Sequence, residues 1–211
     1  MRRKEKQAQT RAALVEAARE VLAERGLADT SLDGIAARAG YTKGAVYANF
    51  TSKEELYLAL LDERFAGELE RLTSALAGVE PPTEEARGAA REFMRFVWSD
   101  PAWPRLFLEF TVYASRDETY RRKLAERYRE LHDRITELYQ RWSADFPVPP
   151  PIPLDAITTM TFCMANGSTV ERMIRPDIDE QIYPTMLEVF VRGLMAMAEE
   201  RAHSKTAAAS S

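Results

Sequence analysis

The residues with the clearest chemistry lie between Thr42 and Lys53, and that chemistry is noncovalent binding. Thr42, Lys43 and Gly44 offer a hydroxyl, an ammonium group and unhindered backbone, and Tyr47 adds a phenol. A short helix with a small and basic outer face fits the major groove of DNA and can reach phosphates or base edges. We therefore predict a nucleic-acid-binding surface in this stretch.

Catalytic chemistry is not indicated by the sequence. The two histidines, His132 and His203, have no cysteine or second histidine at the spacing of a zinc site. The sequence has no glycine-rich phosphate loop, nucleophile elbow or HExxH pattern. We expect no catalytic residue, no metal and no cofactor, and hence a protein that is not an enzyme.

The expected location is the cytoplasm. Cys163 is the single cysteine, so an intrachain disulfide is excluded. No apolar run approaches the roughly 20 residues of a membrane span, and the basic start of the chain lacks the apolar region of a signal peptide. We therefore expect no membrane partner.

Charge is distributed unevenly along the 211 residues. Residues 1–53 hold ten Lys or Arg and six Asp or Glu, a net charge of +4, whereas the remainder carries −8. A basic module on an acidic body is typical of a polyanion-binding protein with a separate sensing body. A solvated basic tail would give the same numbers, so charge alone leaves both interpretations open.

Two short helices must position the binding residues. Leu32, Ile35, Ala36 and Ala39 recur at helical spacing, and Gly40 follows as a helix stop. Thr42 is then a suitable N-cap for a second helix that runs to residue 50, in which Val46 and Phe50 face the core.

Helices are also expected on both sides of this pair. Apolar spacing predicts a helix over residues 9–25 that ends at Gly26, followed by the capping pattern Thr30-x-x-Asp33. The patterns Thr51-x-x-Glu54 and Ser52-x-x-Glu55 predict another helix from about Ser52, with Lys53 at its N-terminus.

The run from Gly40 to Leu56 resembles the DNA-binding end of the TetR (tetracycline-repressor-like) family of bacterial transcription regulators. The family usually has His where this chain has Asn49. The resemblance covers about a quarter of the chain, and it implies a homodimer that binds double-stranded DNA and a small-molecule effector. The predicted DNA-binding residues are Ser31, Tyr41, Thr42, Lys43, Gly44, Ala45, Tyr47, Ala48, Asn49 and Lys53.

The remainder reads as helices punctuated by proline, which makes the expected fold all-α. Helices are predicted over residues 52–77, 83–99, 105–115, 118–144, 154–174 and 178–201, with Pro101 and Pro104 breaking the chain around Trp103. We predict a three-helix DNA-binding domain with a helix-turn-helix over residues 1–51. A larger helical ligand-binding and dimerisation domain is expected over 52–202, and a disordered tail over 203–211.

Aromatic side chains concentrated beside the proline breaks predict a small-molecule pocket. The candidate ligand-binding residues are Met94, Trp98, Trp103, Phe107, Glu109, Phe110, Tyr113 and Phe162. An ordinary helical core is the alternative for any one of them. Glu109 either faces solvent or turns inward, where it would favour a cation or a hydrogen-bond donor.

The last two helices are apolar around most of their circumference, which predicts burial against the body and against a second copy of the chain. We hypothesise a repressor that binds a palindromic operator as a dimer and is released by a small, apolar or aromatic effector. Two alternatives are kept: a regulator of the same fold whose ligand promotes DNA binding or activation, and a helical small-molecule-binding protein without DNA function.

Overall fold

The structure, a computed structural model, describes residues 3–77, 84–144 and 148–209. These residues form nine helices and no strand, which confirms the all-α prediction. The helices are α1 (Arg3–Arg25), α2 (Leu32–Ala39), α3 (Lys43–Tyr47), α4 (Lys53–Leu76), α5 (Glu84–Val97), α6 (Trp103–Ala114), α7 (Glu118–Trp142), α8 (Leu154–Ile174) and α9 (Ile182–Ala209). None of these helices is long and apolar enough to cross a membrane.

The chain divides into two compact units. The first contains the residues up to Gly67 together with Pro101–Arg127, and the second contains Glu68–Asp100 together with the residues from Tyr128 onward. Helices α4 and α7 therefore contribute residues to both units. The domain boundary predicted between residues 51 and 52 stays a prediction.

The start of the first unit is a three-helix core. Leu14, Leu22, Ile35 and Val46 are completely buried, and Phe50 is nearly so. Burying a side chain of this size contributes about 1.5–3 kcal/mol, which is what holds a helix as short as α3 in place. The predicted inward orientation of Val46 and Phe50 is confirmed.

The turn before α3 follows the predicted capping. Gly40 has φ 71°, a left-handed conformation that favours glycine at a helix C-terminus. The Thr42 hydroxyl accepts a hydrogen bond from the Ala45 amide at 3.3 Å, as expected of an N-cap. The cap of α2 is Ser31 rather than Thr30, because the Thr30 hydroxyl is buried and donates to the Gly26 carbonyl at 2.7 Å.

Several predicted boundaries were wrong. The last helix begins at Ile182 rather than at residue 178, and α3 ends at Tyr47 rather than at residue 50. Helix α1 starts at Arg3 rather than Gln9, because its Lys, Glu, Gln and Ala residues are strong helix formers. Pro104 lies in the first turn of α6 instead of breaking the chain, since a proline there removes no intrahelical hydrogen bond. The tail from His203, predicted to be disordered, is helical as far as Ala209, in a segment rich in alanine.

Some predicted features lie outside the described residues. They are the first two residues of the predicted DNA-binding domain, the predicted start of a helix at residue 83, and the last two residues of the predicted tail.

The second unit has a small core of its own. Ala90, Met94 and Val97 of α5 pack with Tyr183 of α9. Partly buried apolar residues surround this cluster, namely Phe93, Trp98, Met164, Ala165 and Leu187.

Candidate nucleic-acid interface and cavity

Helix α3 presents one face to the core and the other to solvent. Val46 is buried, whereas Thr42, Lys43, Gly44 and Ala48 are exposed. Tyr47 is 56% exposed and Tyr41, just before the helix, is 37% exposed. The outer surface of this region therefore combines the small residues Gly44 and Ala48 with two phenols and one ammonium group. Such a surface is suitable for contact with a nucleic-acid groove.

Lys43 is already paired at this surface. Its ammonium group donates to the Asp33 carboxylate of α2, and both side chains are exposed. This hydrogen bond raises the pKa of Lys43, so the side chain stays charged. A phosphate or base edge that binds Lys43 must compete with Asp33 in solvent, where an exposed ion pair is weak.

Two other predicted DNA-binding residues have structural partners. The Asn49 side-chain amide donates to the Ala45 carbonyl at 2.8 Å, which stabilises the last turn of α3. The Ser31 hydroxyl accepts from the Gly34 amide at 3.2 Å as the cap of α2. Both residues shape the surface through these bonds, and their direct contact with DNA stays a prediction.

Lys53 is the first residue of α4 and lies beside a capped helix end. The Ser52 hydroxyl accepts from the Glu55 amide at 3.3 Å, and the Glu55 carboxylate accepts from both the Thr51 amide and the Thr51 hydroxyl at 2.7 Å. These bonds from Thr51 lower the pKa of Glu55. The cap fixes the chain between α3 and α4 and hence the position of Lys53.

Helix α1 adds contacts that the sequence pattern did not reveal. Arg38 of α2 donates to Glu24 at 2.6 Å and to Glu20 at 3.2 Å, which ties α2 to α1. The Arg11 guanidinium stacks over the Phe50 ring, 4.4 Å from its centroid. Residues far apart in sequence form these pairs, so helical periodicity could not have identified them.

A row of three polar residues on α6 binds the ends of two other helices. Arg105 donates to the Leu22 and Ala23 carbonyls at 3.3 and 2.5 Å. The Glu109 carboxylate accepts from the Leu27 amide at 2.6 Å, and the Tyr113 hydroxyl donates to Glu54 at 2.9 Å. With a spacing of four residues, Arg105, Glu109 and Tyr113 share one face of α6. We call these three residues the α6 row.

Glycine at position 26 leaves space for the α6 row. Gly26 has φ 76°, and an added Cβ would lie 3.1 Å from the nearest Glu109 carboxylate oxygen. Glu109 was predicted to face either solvent or a ligand pocket. Its carboxylate instead binds the backbone just beyond the C-terminus of α1 and lies 3.5 Å from Arg105.

The second unit contains a cavity of about 160 Å³. Its wall combines the C-terminal ends of α4 and α7, parts of α5, α8 and α9, and the proline-rich segment 148–151. Apolar contacts include Leu72, Phe93, Trp142, Ile157 and Leu194. The cavity is suited to a small apolar molecule.

The eight predicted ligand-binding residues lie elsewhere. Trp103, Phe107, Glu109, Phe110 and Tyr113 belong to α6 in the first unit, where Trp103 and Phe110 are buried. Met94, Trp98 and Phe162 belong to the second unit, but the wall of the cavity is made by other residues. The aromatic density that suggested a pocket forms packed core around α6, because its rings contact one another, as Trp103 and Phe110 do at 6.5 Å between centroids.

The comparison with protein-family models identifies the first part of the chain. Residues 14–60, which include α2, α3 and the turn between them, match the model of the bacterial regulatory proteins of the tetR family. Residues 14–60 belong to the tetR family.

Curated relatives agree with this tetR-family segment. The chain is 49% identical over 61 residues to the HTH-type transcriptional regulator TtgR of Pseudomonas putida, a match that covers 29% of each chain. It is 35% identical over 99 residues to the HTH-type transcriptional activator FasR of Mycolicibacterium smegmatis, covering 47% of this chain and 45% of FasR. It is 26% identical over 157 residues to the HTH-type transcriptional repressor AcnR of Corynebacterium diphtheriae, covering 73% and 76%.

The similarity to TtgR spans less than a third of that protein's length, so it describes the tetR-family segment and not the body. For the body, the fold is shared with solved structures. The SmeT–triclosan complex superposes with a TM-score of 0.66 at 20% identity, covering 86% of this chain and 89% of SmeT. The predicted combination of a tetR-family DNA-binding end with a larger helical region is confirmed.

Proposed function

We propose that this chain is a DNA-binding transcription regulator that uses α3 as its reading helix. The observation that carries the proposal is the exposed face of α3, with Lys43 and Tyr47 outside and Val46 buried, within a segment of the tetR family. Thr42 and Lys43 would contact base or phosphate edges, and Gly44 and Ala45 would allow close backbone approach. Tyr47 and Lys53 would hold phosphates and set the register, with Ser31, Tyr41, Ala48 and Asn49 completing the surface.

The proposed working form is a homodimer in the cytoplasm. Helices α8 and α9 expose several large apolar side chains, with Ile174 at 71% and Val189 at 66%. Exposed apolar residues concentrated on two helices favour association with a second copy of the same surface. A two-fold dimer would place two reading helices about one DNA turn apart, roughly 34–36 Å, and would therefore bind a palindromic operator.

Regulation is proposed to come from a small molecule bound in the second unit. The cavity there is apolar, and SmeT, which shares the fold, was solved with triclosan bound. A bound molecule shifts DNA affinity only if it binds the DNA-competent and DNA-incompetent states with different affinities. We favour a repressor released by its ligand. The relatives include both an activator and a repressor, so ligand-promoted binding or activation is the second candidate.

The experiment is DNA retention from sheared genomic DNA, followed by binding to the recovered fragments at several salt concentrations. A specific regulator recovers palindromic fragments, and the logarithm of its affinity falls linearly with the logarithm of salt concentration. Lys43→Ala should weaken operator binding, while Lys123→Ala, which removes an exposed lysine from α7, should not. Weak retention that is independent of sequence would refute the proposal.

Addition of ligand to the operator complex would then separate the two regulatory modes. Release of the DNA indicates a repressor relieved by its effector. Tighter binding indicates a ligand-promoted regulator of the same fold.

A further inference from the structure

The cavity of the second unit contains few charges. Among the described residues that line it, Arg87 of α5 and Glu188 of α9 are the only charged ones. They form an ion pair of 3.4 Å, and both side chains are about two-thirds buried. Arg87 also donates to the Thr185 hydroxyl at 3.0 Å, and Glu188 accepts from Arg192 at 3.0 Å. The charges at the wall are therefore already neutralised by protein partners.

A charged ligand would be disfavoured by this arrangement. A carboxylate that approaches Arg87 would have to displace Glu188, leaving that carboxylate partly buried with one partner fewer. An ammonium group that approaches Glu188 would have to displace Arg87 or Arg192. A charge placed elsewhere against the apolar wall would lose its hydration without gaining a partner.

Some polar atoms of the residues that line the cavity can accept a further hydrogen bond. The Tyr139 hydroxyl donates to Thr161 at 3.3 Å, and the Thr161 hydroxyl donates to the Thr158 carbonyl at 2.8 Å. Pro149, Pro150 and Pro151 have carbonyls but no amide protons. The Pro151 carbonyl already accepts a hydrogen bond from Arg201. The Tyr139 oxygen and the carbonyls of Pro149 and Pro150 therefore favour a ligand that donates a hydrogen bond.

The volume gives the scale of the part of a ligand that the cavity can enclose. An engineered protein cavity of about 150 Å³ with an apolar lining binds benzene. The volume here, about 160 Å³, is on the same scale. A substituted benzene ring, or an aliphatic molecule of similar size, would fill it.

We propose that this cavity binds an uncharged, largely apolar molecule of about the size of a substituted benzene ring that carries one hydrogen-bond donor. The binding site itself follows from the cavity. Its role as the effector site rests on the regulatory function proposed above.

The test uses four probes that share one ethyl-substituted ring: 4-ethylphenol, ethylbenzene, 4-ethylbenzoate and 4-ethylbenzylammonium. Calorimetry on the full chain without DNA at pH 7 measures their affinities. We expect 4-ethylphenol to bind tightest, ethylbenzene to follow, and both ions to bind about tenfold more weakly than the phenol, or weaker still. An ion that binds as tightly as 4-ethylphenol, or no binding by any probe, would overturn the proposal.

One variant with a matched control assigns the hydrogen bond from 4-ethylphenol to this cavity. Tyr139→Phe should remove most of the advantage of 4-ethylphenol over ethylbenzene, whereas Tyr128→Phe, on the same helix but outside the cavity, should not. If Tyr139→Phe leaves that advantage intact, the donor is bound elsewhere and the assignment is wrong.

A second pair of variants tests whether the ion pair between Arg87 and Glu188 excludes anions. Glu188→Gln leaves Arg87 without its carboxylate and should improve the affinity for 4-ethylbenzoate about tenfold relative to 4-ethylphenol. Glu171→Gln breaks an exposed ion pair between α8 and Arg175, the residue that follows α8, away from the cavity, and should change neither affinity. An unchanged preference in Glu188→Gln would overturn the argument that pairing excludes anions.

The proposed ligand class and the proposed regulatory function can be refuted independently of each other. Probe binding is measured without DNA, so loss of the regulator proposal would leave the binding result intact. Specific operator binding with no probe bound would reject the ligand class alone. If 4-ethylphenol binds but leaves operator affinity unchanged, the ligand class stands and the effector role is rejected.

Discussion

Gly26 and Gly40 form a natural matched pair for testing the contact between α6 and α1. Both have a left-handed backbone, with φ 76° and 71°. An added Cβ at Gly26 would lie 3.1 Å from Glu109 Oε2, whereas one at Gly40 would meet nothing within 4 Å. Replacing either glycine by alanine therefore imposes a similar cost in backbone conformation, but only the replacement at Gly26 adds a steric conflict.

The expected magnitudes follow from these contacts. Alanine in the left-handed region costs about 1–2 kcal/mol of folding free energy at either site. At Gly26 the Glu109 carboxylate must also retreat and weaken its 2.6 Å bond to the Leu27 amide. A hydrogen bond to a charged group contributes about 1.5–3 kcal/mol when intact. Because the Glu109 side chain is 31% exposed, the lower part of that range applies. We expect Gly26→Ala to cost about 1–2 kcal/mol more than Gly40→Ala.

Urea unfolding of the full chain measures the difference. A double-mutant cycle isolates its cause, since in a Glu109→Ala background Gly26→Ala should cost about as much as Gly40→Ala. Equal costs in the wild-type background would refute the reasoning about Glu109. An undiminished extra cost in the Glu109→Ala background would show that the strain comes from other neighbours.

Three further predictions concern stability and assembly. Tyr120→Phe should leave stability unchanged or raise it by up to about 1 kcal/mol in urea unfolding, because the buried Tyr120 hydroxyl has no hydrogen-bond partner within the described part of the chain; a loss of stability would contradict this. The pKa of Glu55 is lower in the folded state than in the unfolded state, where it is about 4.3. The ionised carboxylate therefore stabilises the folded state at pH values above about 4.3, and this stabilisation is lost as the pH falls through the pKa of Glu55 in the folded state. The stability difference between wild type and Glu55→Gln should therefore shrink on acidification from pH 7 to pH 3, and a constant difference would exclude the Thr51 cap as its source. If the proposed homodimer forms through α9, Val189→Glu should convert it to a monomer in sedimentation, while Val112→Glu, an exposed valine on α6, should not. A dimer in both variants would move the interface away from α9.

The helical secondary structure and the segment from α2 to α3 could be predicted well from the sequence, because both depend on local rules. Leu32, Ile35 and Val46 show their helical periodicity, Gly40 marks a turn, and Thr42 marks a cap. The family resemblance was confirmed over the segment where these local signals are most dense.

The cavity of the second unit was less accessible to prediction because it depends on which helices meet. Aromatic density around Trp103 and Phe110 indicated apolar burial correctly, but density cannot distinguish a packed core from a cavity wall. The cavity is lined from α4, α5, α7, α8 and α9, whose juxtaposition is a tertiary property. Glu109 is a carboxylate within an apolar run, and its partner, the Leu27 amide, lies 82 residues away in sequence, beyond the reach of local rules.

The first compact unit is discontinuous in sequence, and this limits how the protein can be divided by genetic means. The chain leaves that unit after Gly67 and returns at Pro101, and the returning segment carries the α6 row. A fragment that stops at Gly67 would lack the side chains that bind the end of α1 and Glu54 of α4. A chimera that joins this N-terminal segment to a different helical body would need to transfer α6 as well, so a graft at a single junction should yield a less stable N-terminal unit than a graft of both segments.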